Sequence, residues 1–113
     1  MEFDSRRPIY IQIADSISEK ILAGEFKPGG RIPSVREWAA GIGVNPNTVA
    51  RSYEILSDRG VILGQRGLGF FVQNDALDVI RDNERKHFVD EEFPQILHRA
   101  ELLGIQIEDL IKK

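Results

Sequence analysis

Residues 34–53 read SVREWAAGIGVNPNTVARSY, and this stretch predicts two short helices joined by a tight turn. Ser34 is followed three residues later by Glu37, which matches the capping box, in which each residue bonds the other's backbone N–H. Asn45 and Pro46 predict a second helix start, because asparagine caps a helix and proline fits its first turn. Two short helices in this arrangement indicate a helix-turn-helix.

The flanking segments extend this unit on both sides. Before it, isoleucines at a spacing of four form an apolar stripe on a predicted helix: Ile9, Ile13, Ile17 and Ile21. After it, the β-prone runs 61–63 and 70–72 enclose the glycine-rich segment 64–69, which predicts a hairpin. The expected fold of residues 1–74 is therefore mostly α with a small β-hairpin wing, a winged helix-turn-helix.

Residues 75–113 return to a helical pattern and are predicted to form a C-terminal helical dimerisation arm. Its apolar residues repeat at steps of four and three, the seam of a coiled coil. Pro94 interrupts this seam, so either a kink or a new helix start is expected there. A last short helix is expected over 106–113. The residues expected at the dimer interface are Leu77, Ile80, Val89, Phe93, Ile96, Ala100 and Leu103.

Composition excludes several classes of function. The 113 residues include no cysteine, which removes disulfides, thiolate nucleophiles and thiolate metal sites. With two histidines and no evident nucleophile–base pair, we expect no enzyme, no metal site and no cofactor. No secretory signal and no apolar run of roughly 20 residues is present, which favours a cytoplasmic protein without a membrane partner.

The charge is unevenly distributed along the chain. The net charge is −3, from 15 Lys+Arg and 18 Asp+Glu. Residues 1–74 hold nine cations and eight anions, whereas residues 75–113 hold six and ten. The arm is therefore the acidic part and is not expected to touch DNA.

The second helix of the motif carries side chains suited to reading DNA. The N-terminal residues of such a helix reach base edges in the major groove. Asn47 can bond adenine twice, and Thr48 can donate, accept or touch a thymine methyl. Arg51 can pair with guanine or phosphate, although Glu54 offers it an ion pair along the helix. Arg36 has the alternative of a solvated helix face.

Four segments together closely resemble the N-terminal domain of the GntR family of bacterial transcription regulators. They are PIYIQI at 8–13, GEFKPGGRIPSVRE at 24–37, GVNPNTVARSY at 43–53 and RGLGFFV at 66–72. The remaining tail is similar to that of the YtrA-type subfamily. The resemblance to that subfamily implies a short helical dimerisation arm in place of a large effector-binding domain.

The resemblance also implies which side chains contact DNA. Arg36 matches the arginine of the family's Pro-Ser-x-Arg segment, and Gly67 matches its wing glycine, although capping also explains Asn45 and hairpin geometry also explains Gly67. Many long-tailed relatives have an arginine where this chain has Pro46, which shifts the expected base contacts to Asn47, Thr48 and Arg51. The candidate DNA-binding residues are Arg7, Ser34, Arg36, Asn45, Asn47, Thr48, Arg51, Arg66 and Gly67.

The expected function is sequence-specific binding of double-stranded DNA by a homodimer, which recognises a palindromic operator and represses transcription. One alternative is a winged-helix module that mediates protein contacts without binding DNA. Another is an adaptor whose arm binds a different protein, which predicts a monomer in solution. The sequence assigns no residues to a small-molecule effector.

Overall fold

The computed structural model describes residues 1–112, which are mostly helical with one small sheet. The helices are α1 (Ile9–Leu22), α2 (Val35–Ile42), α3 (Pro46–Asp58), α4 (Ala76–His87), α5 (Phe93–Leu102) and α6 (Ile107–Ile111). A π-helical turn, Phe88–Glu92, separates α4 from α5. The strands β1 (Ile62–Gln65) and β2 (Gly69–Val72) pair antiparallel as the predicted hairpin. The predicted mostly α fold with a hairpin wing is confirmed.

The core of the winged part lies mainly between α1 and α3. Ile13, Ile17 and Ile21 are buried, as the spacing of four predicts, whereas Ile9 at the start of the stripe is exposed. Burying such a side chain stabilises a fold by about 1.5–3 kcal/mol. The buried face of α3 is formed by Val49, Tyr53 and Leu56.

Both predicted helix starts are confirmed by their hydrogen bonds. Ser34 Oγ accepts from the Glu37 N–H at 3.1 Å, and the Ser34 N–H donates to Glu37 Oε1 at 3.3 Å. Asn45 Oδ1 accepts from the Asn47 N–H at 2.8 Å. Between the two helices, Gly43 ends α2 in the left-handed conformation, with φ of 68°. The turn is therefore determined by local chemistry on both sides.

The segment before α2 lies beside the hairpin as a third extended stretch. Arg31 pairs with Phe71 of β2. The Ile32 N–H donates to the carbonyl oxygen of Phe70 at 3.0 Å. These contacts attach the wing to the residues that lead directly into α2, so the two share one hydrogen-bonded backbone network.

The chain divides into two compact units, the first from Met1 to Ile80 and the second from Arg81 onward. The sequence places this boundary at 74. The start of α4 belongs to the first unit because Ala76 and Ile80 are 0% and 3% exposed in its core, and Leu77 packs against that core. The sequence assigns Leu77 and Ile80 to the dimer interface, but the structure uses both to close the core. The interface proposed below omits them.

Pro94 explains the π-helical turn of the arm. In an α-helix its ring would clash with the carbonyl group four residues earlier. The chain instead takes a wider turn, in which the Phe93 N–H donates to the Phe88 carbonyl oxygen five residues back. Pro94 then falls in the first turn of α5, where no N–H is needed. His87, Glu92 and Phe93 all keep right-handed helical backbone angles, so the structure shows a helical backbone that continues through a π-turn before Pro94 and not a separate helix start. Because a π-turn is wider than an α-turn, the angle between Val89 and Phe93 differs from that of a regular heptad.

The predicted last helix is present as α6, and Lys113 lies outside the described residues. Over residues 1–112, none of the helices combines the length and the apolar character that crossing a membrane requires.

Candidate nucleic-acid interface

The N-terminus of α3 presents polar side chains to solvent. Asn45 and Asn47 are exposed, and Thr48 is half-buried. The Asn45 side-chain oxygen accepts the helix-capping hydrogen bond, as expected if Asn45 serves as a helix cap. The Asn47 side chain has no hydrogen-bond partner among residues 1–112, so its donor and acceptor groups remain available to a base. The structure therefore favours Asn47 over Asn45 for base readout.

The first turn of α2 carries Arg36 beside a capped helix end. The Ser34 hydroxyl oxygen accepts the helix-capping bond, which gives this residue a structural role. Arg36 is exposed, and no carboxylate within residues 1–112 forms an ion pair with it. Its guanidinium donors remain available to phosphate or guanine.

Tyr53 holds the start of α2 against α3. Its hydroxyl donates to the carbonyl oxygen of Pro33, directly before the cap residue Ser34. Its ring packs edge-on against Phe70 of the wing, with centroids 5.0 Å apart. Burial, and secondly the negative charge of Glu37, raise the pKa of the Tyr53 hydroxyl well above its ordinary value. The hydroxyl therefore remains a donor at physiological pH, and one side chain positions α2, α3 and the wing together.

A second long-range pair of contacts joins α1 to α3. The Ser52 hydroxyl donates to the carbonyl oxygen of Tyr10 at 2.7 Å. The Arg51 guanidinium carbon lies 4.0 Å from the centroid of the Tyr10 ring, a cation–π contact. The ion pair that Glu54 offers to Arg51 in sequence is not formed. No carboxylate among residues 1–112 pairs with Arg51, and the contact with the Tyr10 ring restricts its side chain.

The wing tip places Arg66 and Gly67 in solvent. The Leu68 N–H closes the turn on the Gln65 carbonyl oxygen at 2.9 Å. Gly67 has φ of 78°, so the turn itself favours glycine there. A Cβ on Gly67 would meet nothing within 4 Å, which leaves its backbone open to approach by another molecule.

The cations of the first unit fall into two groups. Arg6, Arg7, Lys20 and Arg59 pair with carboxylates on or near α1: Asp4, Asp15 and Glu25. Arg7 pairs with Asp15, so a phosphate would have to compete for it. Five cations outside α1 form no ion pair with any part of the chain that the structure describes, and they come from the α1–α2 segment, α2, α3 and the wing: Lys27, Arg31, Arg36, Arg51 and Arg66.

Arg31 is the candidate that sequence reasoning missed. It lies in the extended segment beside β2, not in the helix-turn-helix or at the wing tip. The one available signal is alternation, since the next residue, Ile32, is apolar and buried while Arg31 is exposed. A lone cation in a turn-rich segment does not reveal that pattern without the strand pairing.

Comparison with known proteins assigns the fold to a family. The family model described as bacterial regulatory proteins, gntR family, matches residues 9–72, from the start of α1 to the end of the wing. The chain belongs to the GntR family. Membership confirms a winged helix-turn-helix transcription regulator that binds DNA, and not an enzyme.

Individual GntR proteins match most of the chain as well. The transcriptional repressor YtrA of Bacillus subtilis is 36% identical over 106 residues, covering 94% of this chain and 81% of that protein. A GntR family transcriptional regulator from Listeria monocytogenes has a TM-score of 0.81 and 30% identity, covering 97% of this chain and 95% of the other. The DNA-binding domain of AraR, solved in complex with an operator, has a TM-score of 0.57 and 30% identity, over 64% of this chain and 84% of that one.

Proposed function

We propose that this GntR regulator acts in the cytoplasm as a homodimer that binds a palindromic operator and represses transcription. Each protomer places α3 in the major groove, with Asn47 and Thr48 at base edges. Arg36, Arg51 and Arg66 supply charge to the backbone or to guanine, and the wing tip at Gly67 approaches the sugar-phosphate chain.

The observation that carries this proposal is the separation of the cations. The arginines of α2, α3 and the wing have no carboxylate partner among residues 1–112, whereas those at the start of α1 and the end of α3 are paired. A net charge of −3 for the whole chain conceals this distribution. Unpaired arginines beside an exposed helix N-terminus suit phosphate and base contacts. The name of YtrA as a repressor and the AraR–operator complex support the same conclusion by similarity.

The homodimer is supported by the apolar side chains of the arm. Val89, Ile96 and Leu103 are 56%, 47% and 61% exposed, and Phe93 stacks on Phe88 at the surface. Ala100, another member of the predicted seam, is already buried in the single chain. Apolar side chains exposed along a helix favour burial against a partner, and a symmetric pair is the commonest arrangement.

A selection experiment tests the operator-binding proposal. The full-length protein is incubated with a pool of randomised DNA duplexes, and the retained sequences are read. We expect a palindromic consensus and a binding constant that falls steeply with salt. A protein-interaction module without DNA binding would retain no sequence above background, and a monomeric adaptor would yield no symmetric consensus.

Arg36→Ala is expected to weaken operator binding by about 1–3 kcal/mol, because it removes an exposed cation that has no ion-pair partner among residues 1–112. Its melting temperature should remain close to wild type. Fluorescence titration with the selected duplex measures the effect. Arg59→Ala is the matched control, since Arg59 caps the opposite end of α3 and lies 4.0 Å from an Asp15 oxygen. Equal affinities for the two variants contradict the role of Arg36.

Asn47→Ala and Arg66→Ala are expected to change different properties of DNA binding. The first should relax base preference at one position of each half-site, because Asn47 reads a base edge. The second should lower the slope of log K against log salt by roughly one unit while leaving the preferred sequence unchanged. Titrations on the selected duplex and on single-base variants separate the two. A uniform loss on every duplex for both variants would reject the assignment.

A further inference from the structure

Arg31 has a fixed backbone and a side chain that faces away from the core. Its pairing with Phe71 and the adjacent Ile32–Phe70 hydrogen bond attach it to β2. Ile32 is 2% exposed, and alternate residues of an extended strand point to opposite faces. Arg31 is therefore directed towards solvent from a hydrogen-bonded segment and not from a loose loop.

The guanidinium of Arg31 lies on the backbone of Gly69. A Cβ added at Gly69 would be 3.0 Å from Arg31 Nε and 3.5 Å from Nη2. Gly69 also has φ of 107°, a conformation that favours glycine. The absence of a side chain at Gly69 creates the space that the arginine occupies, three residues after Arg66 of the wing tip.

The charge of Arg31 is unpaired within residues 1–112, and its side chain is exposed. A guanidinium has five N–H donors in a fixed fork, which matches two oxygens of a phosphate. We propose that Arg31 binds a DNA phosphate beside the wing, with Gly69 as the platform that orients it. This inference rests on the proposed operator binding and adds a contact at the base of the wing to those of α2, α3 and the wing tip.

The test compares full-length wild type and Arg31→Gln on a duplex that wild type selects from the randomised pool. We expect affinity to fall about tenfold, since a hydrogen bond to a charged group is lost. The slope of log K against log salt should decrease by about one, because one phosphate contact is lost. Unchanged affinity and slope overturn the proposal. Lower affinity with an unchanged slope and a lower melting temperature also overturns it, since that is the signature of a packing role.

Lys27→Gln is the matched control, because it removes one positive charge from the same segment. Lys27 is exposed, and the Gly29 N–H that follows it bonds the carbonyl oxygen of Val72, at the end of β2 remote from the wing tip. This variant should keep the wild-type slope. Arg31→Lys covers the case in which Arg31→Gln does not fold: it should keep the slope and lose part of the affinity, because the charge stays and the fork is lost.

The platform has its own test. Gly69→Ala should lower affinity more in the wild-type background than in combination with Arg31→Gln, because only wild type has the arginine contact to lose, whereas the backbone strain at φ of 107° is common to both. Equal losses in the two backgrounds overturn the platform role. If wild type selects no duplex at all, the proposed function fails, whereas a binding wild type with a neutral Arg31→Gln rejects only this inference.

Discussion

A chain carrying Ile96→Glu is expected to sediment as a monomer at micromolar concentration and to lose about a hundredfold or more of its operator affinity. Ile96 is 47% exposed near the middle of α5. A carboxylate there should therefore change the stability of the single chain little and weaken dimerisation strongly. Two linked half-sites bind more tightly than one because the second contact forms at high effective concentration. Analytical ultracentrifugation and titration with the selected duplex measure the two effects.

The control for this variant is Gln95→Glu. Gln95 is the neighbouring residue on α5, lies away from the apolar seam and undergoes the same change of charge. It should remain dimeric and retain wild-type affinity. A wild-type chain that is monomeric at micromolar concentration, or an Ile96→Glu chain that still dimerises, would show that the arm does not form the interface.

A chain that ends after Asn74 is expected to lose at least about 2–5 kcal/mol of unfolding free energy, the typical cost of removing one large aliphatic side chain from a core. The deleted part includes Ala76 and Ile80, which are buried in the first unit. Small domains have only about 5–15 kcal/mol of stability, so the loss is a large fraction.

A chain that ends after Glu84 retains Ala76, Leu77 and Ile80, and should fold as a monomer that binds a half-site weakly. Urea denaturation followed by circular dichroism compares the two chains. Equal midpoints for both would show that the start of α4 contributes nothing to the core.

The sequence predicts the starts of α2 and α3 because hydrogen bonds between near neighbours in the chain determine them. The capping residues Ser34 and Asn45 identify the starts of α2 and α3, because each satisfies backbone groups only two or three residues away. The predicted domain boundary at 74 lies before the one in the structure, which follows Ile80. The amphipathic pattern of α4 is the same whether its first turns pack on the winged part or belong to the arm. Only the packing of Ile80 on the core decides which unit receives its first turns.

The features of the candidate site that the sequence does not predict depend on contacts between segments that are far apart along the chain. The stacking of Arg51 on Tyr10 joins residues 41 positions apart, so Glu54 was the only partner visible in the sequence. The position of Arg31 on Gly69 depends likewise on a strand pairing between distant parts of the chain. Such contacts require the tertiary structure, since no periodicity records them.

Because of the π-helical turn before α5, the number of residues in the arm and the presence of proline at position 94 depend on each other. A π-turn holds one residue more than an α-turn and absorbs that residue locally. Deleting one residue from the turn would leave Ile96 and Leu103 facing as before, but it would return Pro94 to an α-helical environment and its steric clash. A homologue shorter by one residue here should therefore also lack this proline, so that deletion and substitution occur together in evolution.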